Sequence, residues 1–255
     1  VFEEAKKAKI FQLWSSGYDK FNLSAAKKNG IMVCNNGSQN NISVAEHSVM
    51  LMLALSRKLI HFNKITVKGK WTGNSHGVDL NELKNKILGI VGFGKIGQRV
   101  AKICLGFDMN IIYHDKKRLS KKKENLLQVK YASKKEIFKK SDIISLHLHL
   151  NKDTKYLINR KNIKLFKNNV IIINTSRANL IEKKAIEIGL RKKKIGGVGI
   201  DVHYIEPTIK NDKILKHPSV IATPHTAGST IDTHKRVIFR CFENIKNRLN
   251  NNKVK

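Results

Sequence analysis

Three short segments of this 255-residue chain concentrate side chains able to move a proton and hold an anion. They are Asn174-Thr175-Ser176-Arg177, Asp201-Val202-His203-Tyr204-Ile205-Glu206-Pro207 and Thr223-Pro224-His225-Thr226-Ala227-Gly228. His225 can supply a proton to a carbonyl that is receiving hydride. Glu206 beside it would raise the imidazole pKa and fix the ring's orientation, favouring the charged form. Arg177 offers a planar fork that grips a carboxylate and polarises a neighbouring ketone, which Lys cannot reproduce. Taken singly, an Arg after a strand reads as a surface ion pair and a strand-end His as a satisfied loop residue. Together, each beyond an apolar run, they fall where open α/β sheets bind their ligands.

Upstream lies Gly92-Phe93-Gly94-Lys95-Ile96-Gly97, a GxGxxG pattern. Alone it is weak, because glycine turns are common. Here it follows the apolar run KILGIVG and opens a helical stretch, and Asp115 ends the next apolar run. That context is the dinucleotide-binding fingerprint. Gly92 allows the tight turn, Gly94 lets a pyrophosphate approach the backbone, and Gly97 lets helix and strand pack closely. Asp115 would accept from both ribose hydroxyls and repel a 2′-phosphate, favouring NAD over NADP. Lys116, Lys117 and Arg118 follow it and soften that preference.

The elements that must carry these residues read as alternating strands and helices. Short Ile- and Val-rich runs at 86–92, 110–115, 141–148, 169–176, 196–202 and 219–225 look like strands buried on both faces of a parallel sheet. Helical segments between them argue for a doubly wound α/β sheet. Ser43-Val44-Ala45-Glu46 has the form of a capping box, opening a helix that continues through HSVMLMLALSRKLIHF. Being apolar on most faces, that helix is expected to be buried, partly against a second subunit. IFQLWSSGYD and GIMVCNN read as two further strands, and 231–250 as one amphipathic helix. The opening VFEEAKKAKI reads as the tail of a helix, with upstream sequence expected before Val1.

Composition narrows the classes. The chain carries 50 basic against 19 acidic residues, net +31. A nucleic-acid partner is one reading of that charge. However, 41 of the basic residues are Lys, in scattered short runs without interleaved aromatics. Compositional drift is therefore the preferred reading, and nucleic acid is not expected as a partner. Cys34, Cys104 and Cys241 are odd in number and widely spaced, which fits a reducing compartment and hence the cytoplasm. The longest apolar run is far shorter than a bilayer span, so no membrane association is expected. His147 and His149 alternate in LHLHL and would share one face, but no third ligand has suitable spacing, so no metal is assigned. His47, His203 and His217 carry weaker claims.

At SSGYD with LSAAKKNGI, SVAEH, GFGKIG with Asp115, NTSR, DVHYIEP and TPHTAG, in that order, the sequence resembles the D-isomer-specific 2-hydroxyacid dehydrogenase family. The resemblance covers essentially the whole chain. It implies a Rossmann NAD-binding domain, residues 43–227, inserted in a flavodoxin-like substrate domain. Of the latter the chain would hold residues 1–42 and the return helix at 228–255. It further implies a homodimeric, NAD-dependent enzyme that interconverts a small 2-oxo acid and its D-2-hydroxy acid, of the glyoxylate, hydroxypyruvate or 3-phosphoglycerate type.

By the same resemblance Arg177, Glu206 and His225 bind substrate, tune the acid and donate the proton. Ser16 and Gly17 amides hold the substrate carboxylate. Lys95 and Ile96 meet the pyrophosphate, while Leu148, Thr175, Ser176, Asp201 and Gly228 line the cofactor. Two positions depart from the family pattern: Ala178 stands where Gly is usual after the Arg, and His149 where Pro is frequent. A rival reading is a nucleotide-sensing corepressor scaffold on the same fold, or a nucleic-acid-binding protein, neither of which needs an intact Arg, Glu and His set.

Overall fold

The computed structural model describes residues 4, 5, 7–19, 21–71, 73 and 80–250. The chain divides into two compact units, Val44–Ala227 and a second made of Val1–Ser43 with Gly228–Lys255.

The larger unit is built on a seven-stranded sheet. Its strands are β3 (Ile87–Val91), β4 (Asn110–His114), β5 (Val129–Tyr131), β6 (Ile143–Leu146), β7 (Val170–Asn174), β8 (Ile195–Ile200) and β9 (Val220–Ala222). They lie in the order β5-β4-β3-β6-β7-β8-β9, every pair parallel. Winding runs outward from β3 to one edge, returns to β6, then runs to the other edge. The expected doubly wound α/β sheet is thus present. β5 has no counterpart in the sequence reading, since three residues around an exposed Lys130 make no apolar run.

Helices cover both faces: α2 (Asn41–Ser56), α4 (Lys95–Leu105), α5 (Lys121–Leu126), α6 (Lys134–Lys140) and α7 (Lys183–Arg191). Neighbouring strand residues feed opposite cores, as the pleat requires. Ile143 and Ile173 pack with Leu51, Met52, Val100 and Cys104 on one side. Ile144 and Ile172 pack with Ile137, Ile186 and Leu190 on the other. Burial on both faces is why these strands read as continuous apolar runs.

The helix after residue 40 differs from expectation in two ways. It starts at Asn41, so Ser43 lies inside its first turn and no capping box forms there. The Ser43 hydroxyl instead donates to Asn40 O (3.0 Å) and meets Thr233 Oγ1 (3.0 Å). The helix also stops at Ser56, because Lys58 is left-handed (φ 50°), and α3 (Leu59–Thr66) begins afresh. A left-handed residue costs about 1 kcal/mol and ends an α-helix.

In the smaller unit β1 (Ile10–Gln12) and β2 (Met32–Cys34) pair in parallel around α1 (Leu23–Lys28), with α8 (Ile231–Leu249) as the long helix. Asn244 on α8 ties to Gln12 Oε1 (2.9 Å). The helix tail expected at the start lies partly outside the described residues, and Glu4, Ala5 and Lys7–Lys9 are turn and coil.

Candidate active site

Sheet register aligns the site. One row of partners runs across the sheet through His114, Val91, Leu146, Asn174, Ile200 and Ala222. The next residue on each strand is Asp115, Gly92, His147, Thr175, Asp201 and Thr223. The glycine turn, the acidic residue and all three proton- and anion-handling segments therefore leave the sheet at one level. The winding reverses between β3 and β6, the place where open sheets form a ligand crevice.

The cofactor side begins at Gly92, whose φ of +93° suits glycine. A Cβ there would meet His147 O at 2.3 Å, and one on Gly97 would meet Gly92 O at 2.3 Å. Both glycines are thus required by close approach. Gly94, by contrast, has open space where a Cβ would stand, and it begins α4 with no side-chain cap. The amino end of α4 carries the Lys95 and Ile96 amides, and the helix dipole there favours negative charge. Asp115 is fixed by Phe93 N–H on Oδ2 (2.6 Å) and Lys117 N–H on Oδ1 (3.2 Å). These features fit an adenosine diphosphate moiety.

Of the three cations after Asp115, Arg118 is committed elsewhere. It forks onto buried Glu124 (2.9 and 3.2 Å) and lies 5.0 Å over the Tyr131 ring. Tyr113 Oη and Lys121 Nζ also donate to Glu124. The Arg118 guanidinium, backed by Lys121 and Tyr113, holds the Glu124 carboxyl down at about 2.

On the catalytic side the structure brings His225 and Glu206 together, with Nδ1 3.0 Å from Oε1. The same Oε1 accepts from His203 N–H (3.0 Å). Because a carboxylate only accepts, the His225 Nδ1 carries hydrogen and Nε2 is the position for a transferable proton. The His225 backbone is left-handed (φ 58°), an uncommon conformation for a residue other than glycine. Asp201, 1% exposed, brackets it by accepting from Thr223 Oγ1 (2.5 Å), Thr226 N–H (2.9 Å) and Ala227 N–H (2.8 Å). Thr223 spends its one hydrogen on Asp201, so His47 Nε2, 2.9 Å away, donates to Thr223 Oγ1. Burial pushes the His47 pKa down, against the opposing pull of Asp201.

Arg177 stands on extended backbone between β7 and a short turn at Ala178–Leu180. Asn174, 1% exposed, staples this turn: Oδ1 accepts from Ser176 N–H (3.1 Å) and Nδ2 donates to Arg177 O (2.9 Å). Ser176 Oγ donates to Leu146 O (2.7 Å), Thr175 Oγ1 meets Ser48 Oγ (2.9 Å), and Arg177 Nη1 donates to Ser176 O (2.7 Å). Ala178 has no positive φ, so its methyl adds no backbone strain. Leu148 packs beside the Gly92 turn.

His147 and His149 do not share a strand face, because β6 ends at Leu146 before either. Burial pushes the His147 pKa down to about 3, whereas His149 is exposed. Among the described residues no group of three His, Cys, Asp or Glu is arranged to hold a metal. In the sequence His47 carries only a weaker claim, and Asn174 and Thr223 stand out only as members of their segments. Their types are unremarkable, and only the register shows what they hold.

Ser16, Gly17 and Gly228 belong to the smaller unit. There Ser16 Oγ donates to Asn36 and Asn40, and Gly228 packs against Asn40.

The sequence model described as "D-isomer specific 2-hydroxyacid dehydrogenase, NAD binding domain" matches residues 49–227. A hydroxypyruvate reductase from Thermotoga maritima is 37% identical over 247 residues, 96% of this chain and 79% of that protein. A D-3-phosphoglycerate dehydrogenase from Archaeoglobus fulgidus is 32% identical, over 97% of this chain and 46% of its own length. Among solved structures, a glyoxylate reductase from Paecilomyes thermophila superposes with a TM-score of 0.86 at 32% identity, covering 95% of this chain and 72% of that one. The chain belongs to the D-isomer-specific 2-hydroxyacid dehydrogenase family, and its cofactor is NAD.

Proposed function

We propose that this chain interconverts a small 2-oxo acid, of glyoxylate or hydroxypyruvate size, and its D-2-hydroxy acid, with Arg177, Glu206 and His225 as the reacting set. The observation that carries the proposal is the level row of strand ends, which sets an uncapped helix start and a His–carboxylate pair along one edge of one sheet. The names of the hydroxypyruvate reductase and glyoxylate reductase relatives support the substrate class.

In the reducing direction bound NADH supplies the hydride that the substrate's carbonyl carbon accepts. Arg177 pairs with the substrate carboxylate and draws electron density toward the carbonyl oxygen. His225 gives its Nε2 proton to that oxygen as the C–O π bond opens, so charge does not build up there. Glu206 keeps Nδ1–H in place throughout and offsets the imidazolium charge before transfer. His225 is half exposed, so it regains a proton from solvent.

Ser16 and Gly17 amides are proposed to hold the carboxylate, with Lys95 and Ile96 at the pyrophosphate and Asp115 at the ribose. Leu148, Thr175, Ser176, Asp201 and Gly228 complete the cofactor's surroundings. Residues 43–227 serve as the nucleotide domain, and 1–42 with 228–255 as the substrate domain. Exposed Met50, Leu59, Ile60, Val67 and Trp71 support a homodimer, and three free cysteines support a reducing cytoplasm.

The test is NADH oxidation against glyoxylate, hydroxypyruvate, pyruvate and 3-phosphohydroxypyruvate. Turnover of the first two is expected to lead. A folded, NADH-binding protein that turns over none of them overturns the proposal. NADH is expected to exceed NADPH in kcat/KM by about 100-fold, because the Asp115 carboxylate faces a 2′-phosphate and Arg118 is tied to Glu124. Asp115→Ser should narrow that ratio to about tenfold by removing the like charge. Equal use of both dinucleotides by the unaltered protein contradicts the role given to Asp115.

A further inference from the structure

The smaller unit contains an asparagine cluster that no step above uses. After β1, the segment Trp14-Ser15-Ser16-Gly17 crosses the loop that follows β2, and asparagines of that loop take hold of it. Asn35 Nδ2 donates to Ser16 O (2.9 Å), while its Oδ1 accepts from Gly37 N–H (3.0 Å). Asn36, 3% exposed, donates from Nδ2 to Trp14 O (3.0 Å) and from its backbone N–H to Ser15 O (3.2 Å). Its Oδ1 accepts from Ser38 N–H (3.0 Å) and from Ser16 Oγ (2.5 Å), whose hydrogen is shared with Asn40 Oδ1 (2.8 Å).

Three successive carbonyls and one hydroxyl are thereby fixed. The backbone N–H groups of Ser16 and Gly17 have no partner among the described residues. A loop held by all its acceptors with two adjacent donors left over is arranged for an anion, because unpaired amides are costly unless solvent or ligand meets them.

We propose that Asn35 and Asn36 are positioning residues: they set the Ser16–Gly17 backbone so that both amides point their hydrogens at the substrate carboxylate. The proposal rests on the reading that those amides take the carboxylate. Asparagine suits the task because each carboxamide both donates and accepts, so one side chain ties the β1 segment to its own loop. Aspartate or leucine of similar size supplies only half of that set or none.

The test uses the full chain in steady-state kinetics with glyoxylate, NADH binding by fluorescence, and thermal melting. Asn35→Ala and Asn36→Ala are expected to raise KM for the 2-oxo acid by about tenfold, as lost ground-state binding does. The value of kcat and the NADH Kd should stay within about twofold. Ser16→Ala cuts only the hydroxyl link and keeps both amides, so it serves if an Asn variant fails to fold. It should raise the same KM by about threefold, one weak hydrogen bond's worth.

Gly17→Pro removes one amide hydrogen and separates the two readings. If it raises KM while the Asn and Ser16 variants leave KM unchanged, positioning by asparagine is wrong and the carboxylate reading stands. If every variant leaves KM unchanged, the carboxylate reading fails and takes the proposal with it. Parallel loss of kcat, NADH affinity and melting temperature makes the cluster merely structural and also overturns the proposal.

Discussion

His225→Ala lowers kcat for 2-oxo acid reduction by about 10³-fold and leaves the NADH Kd within about twofold. The size follows from losing a positioned general acid: the carbonyl oxygen must then take its proton from water while hydride arrives. The selectivity follows from geometry, because the groups assigned to the pyrophosphate and the ribose leave β3 and β4, whereas His225 leaves β9. Alanine also spares the loop. The left-handed turn at His225 is held by Asp201 through Thr223, Thr226 and Ala227, none of which needs the imidazole. Glu206→Gln is the companion variant. An amide oxygen can still accept from Nδ1–H, so orientation survives and the compensating charge is lost. The pair is half exposed, so solvent already screens that charge and the loss should be nearer tenfold than 10³-fold. Stopped-flow single turnover and NADH fluorescence separate the two effects. Equal loss of turnover and NADH affinity in His225→Ala would falsify the acid role.

Much of this site was legible in the sequence because its chemistry sits in contiguous motifs beyond contiguous apolar runs. Strands buried on both faces announce themselves by composition, and a parallel sheet sends all their carboxyl ends to one edge. The glycine turn is likewise local, since Gly92 and Gly97 meet each other across five residues. What the sequence hid depends on distant partners. Nothing near His47 reveals that it donates to Thr223, 176 residues away, or that Asp201 braces the catalytic loop. Asp201 reads as a strand-end acid facing a cofactor, yet three of its bonds go to the His225 loop. β5 was missed because three residues with one buried valine leave no pattern, and it forms only because β4 offers an edge. The capping box at Ser43 failed for a related reason. The motif is local, but Thr233 competes for the hydroxyl and the helix starts earlier.

The charge shows the same division between local and distant information. Lys116, Lys117 and Arg118 read as one cationic run beside the ribose position, which should soften selectivity for NAD. The fold separates them. Arg118 forks onto Glu124, which lies 1% exposed and would keep Lys121 as its one cationic partner without it. A cation required by a buried acid is not available to a phosphate, so counting charges near Asp115 overstates the pull on NADP.

Arg177→Lys lowers kcat/KM for 2-oxo acids by about 10² to 10³-fold, although the charge is conserved, because a bidentate site does not accept a point charge. One guanidinium nitrogen already braces the chain at Ser176 O. With five donors in a plane, Arg can keep that brace and still present a fork to a carboxylate. Lysine has three donors on one atom, so holding the carbonyl and gripping two carboxylate oxygens compete. Asn174 keeps the Arg177 backbone in place whatever side chain it carries, so the NADH Kd and the melting temperature should barely move. Arg177→Ala extends the argument, because it leaves a space shaped for the missing group. Added guanidinium chloride at subdenaturing concentration should restore part of its activity, while ammonium of equal ionic strength should not. Rescue by both cations reduces the requirement to positive charge alone. Retention of near-full activity in Arg177→Lys removes the fork from the mechanism and leaves the carboxylate to be held by other groups.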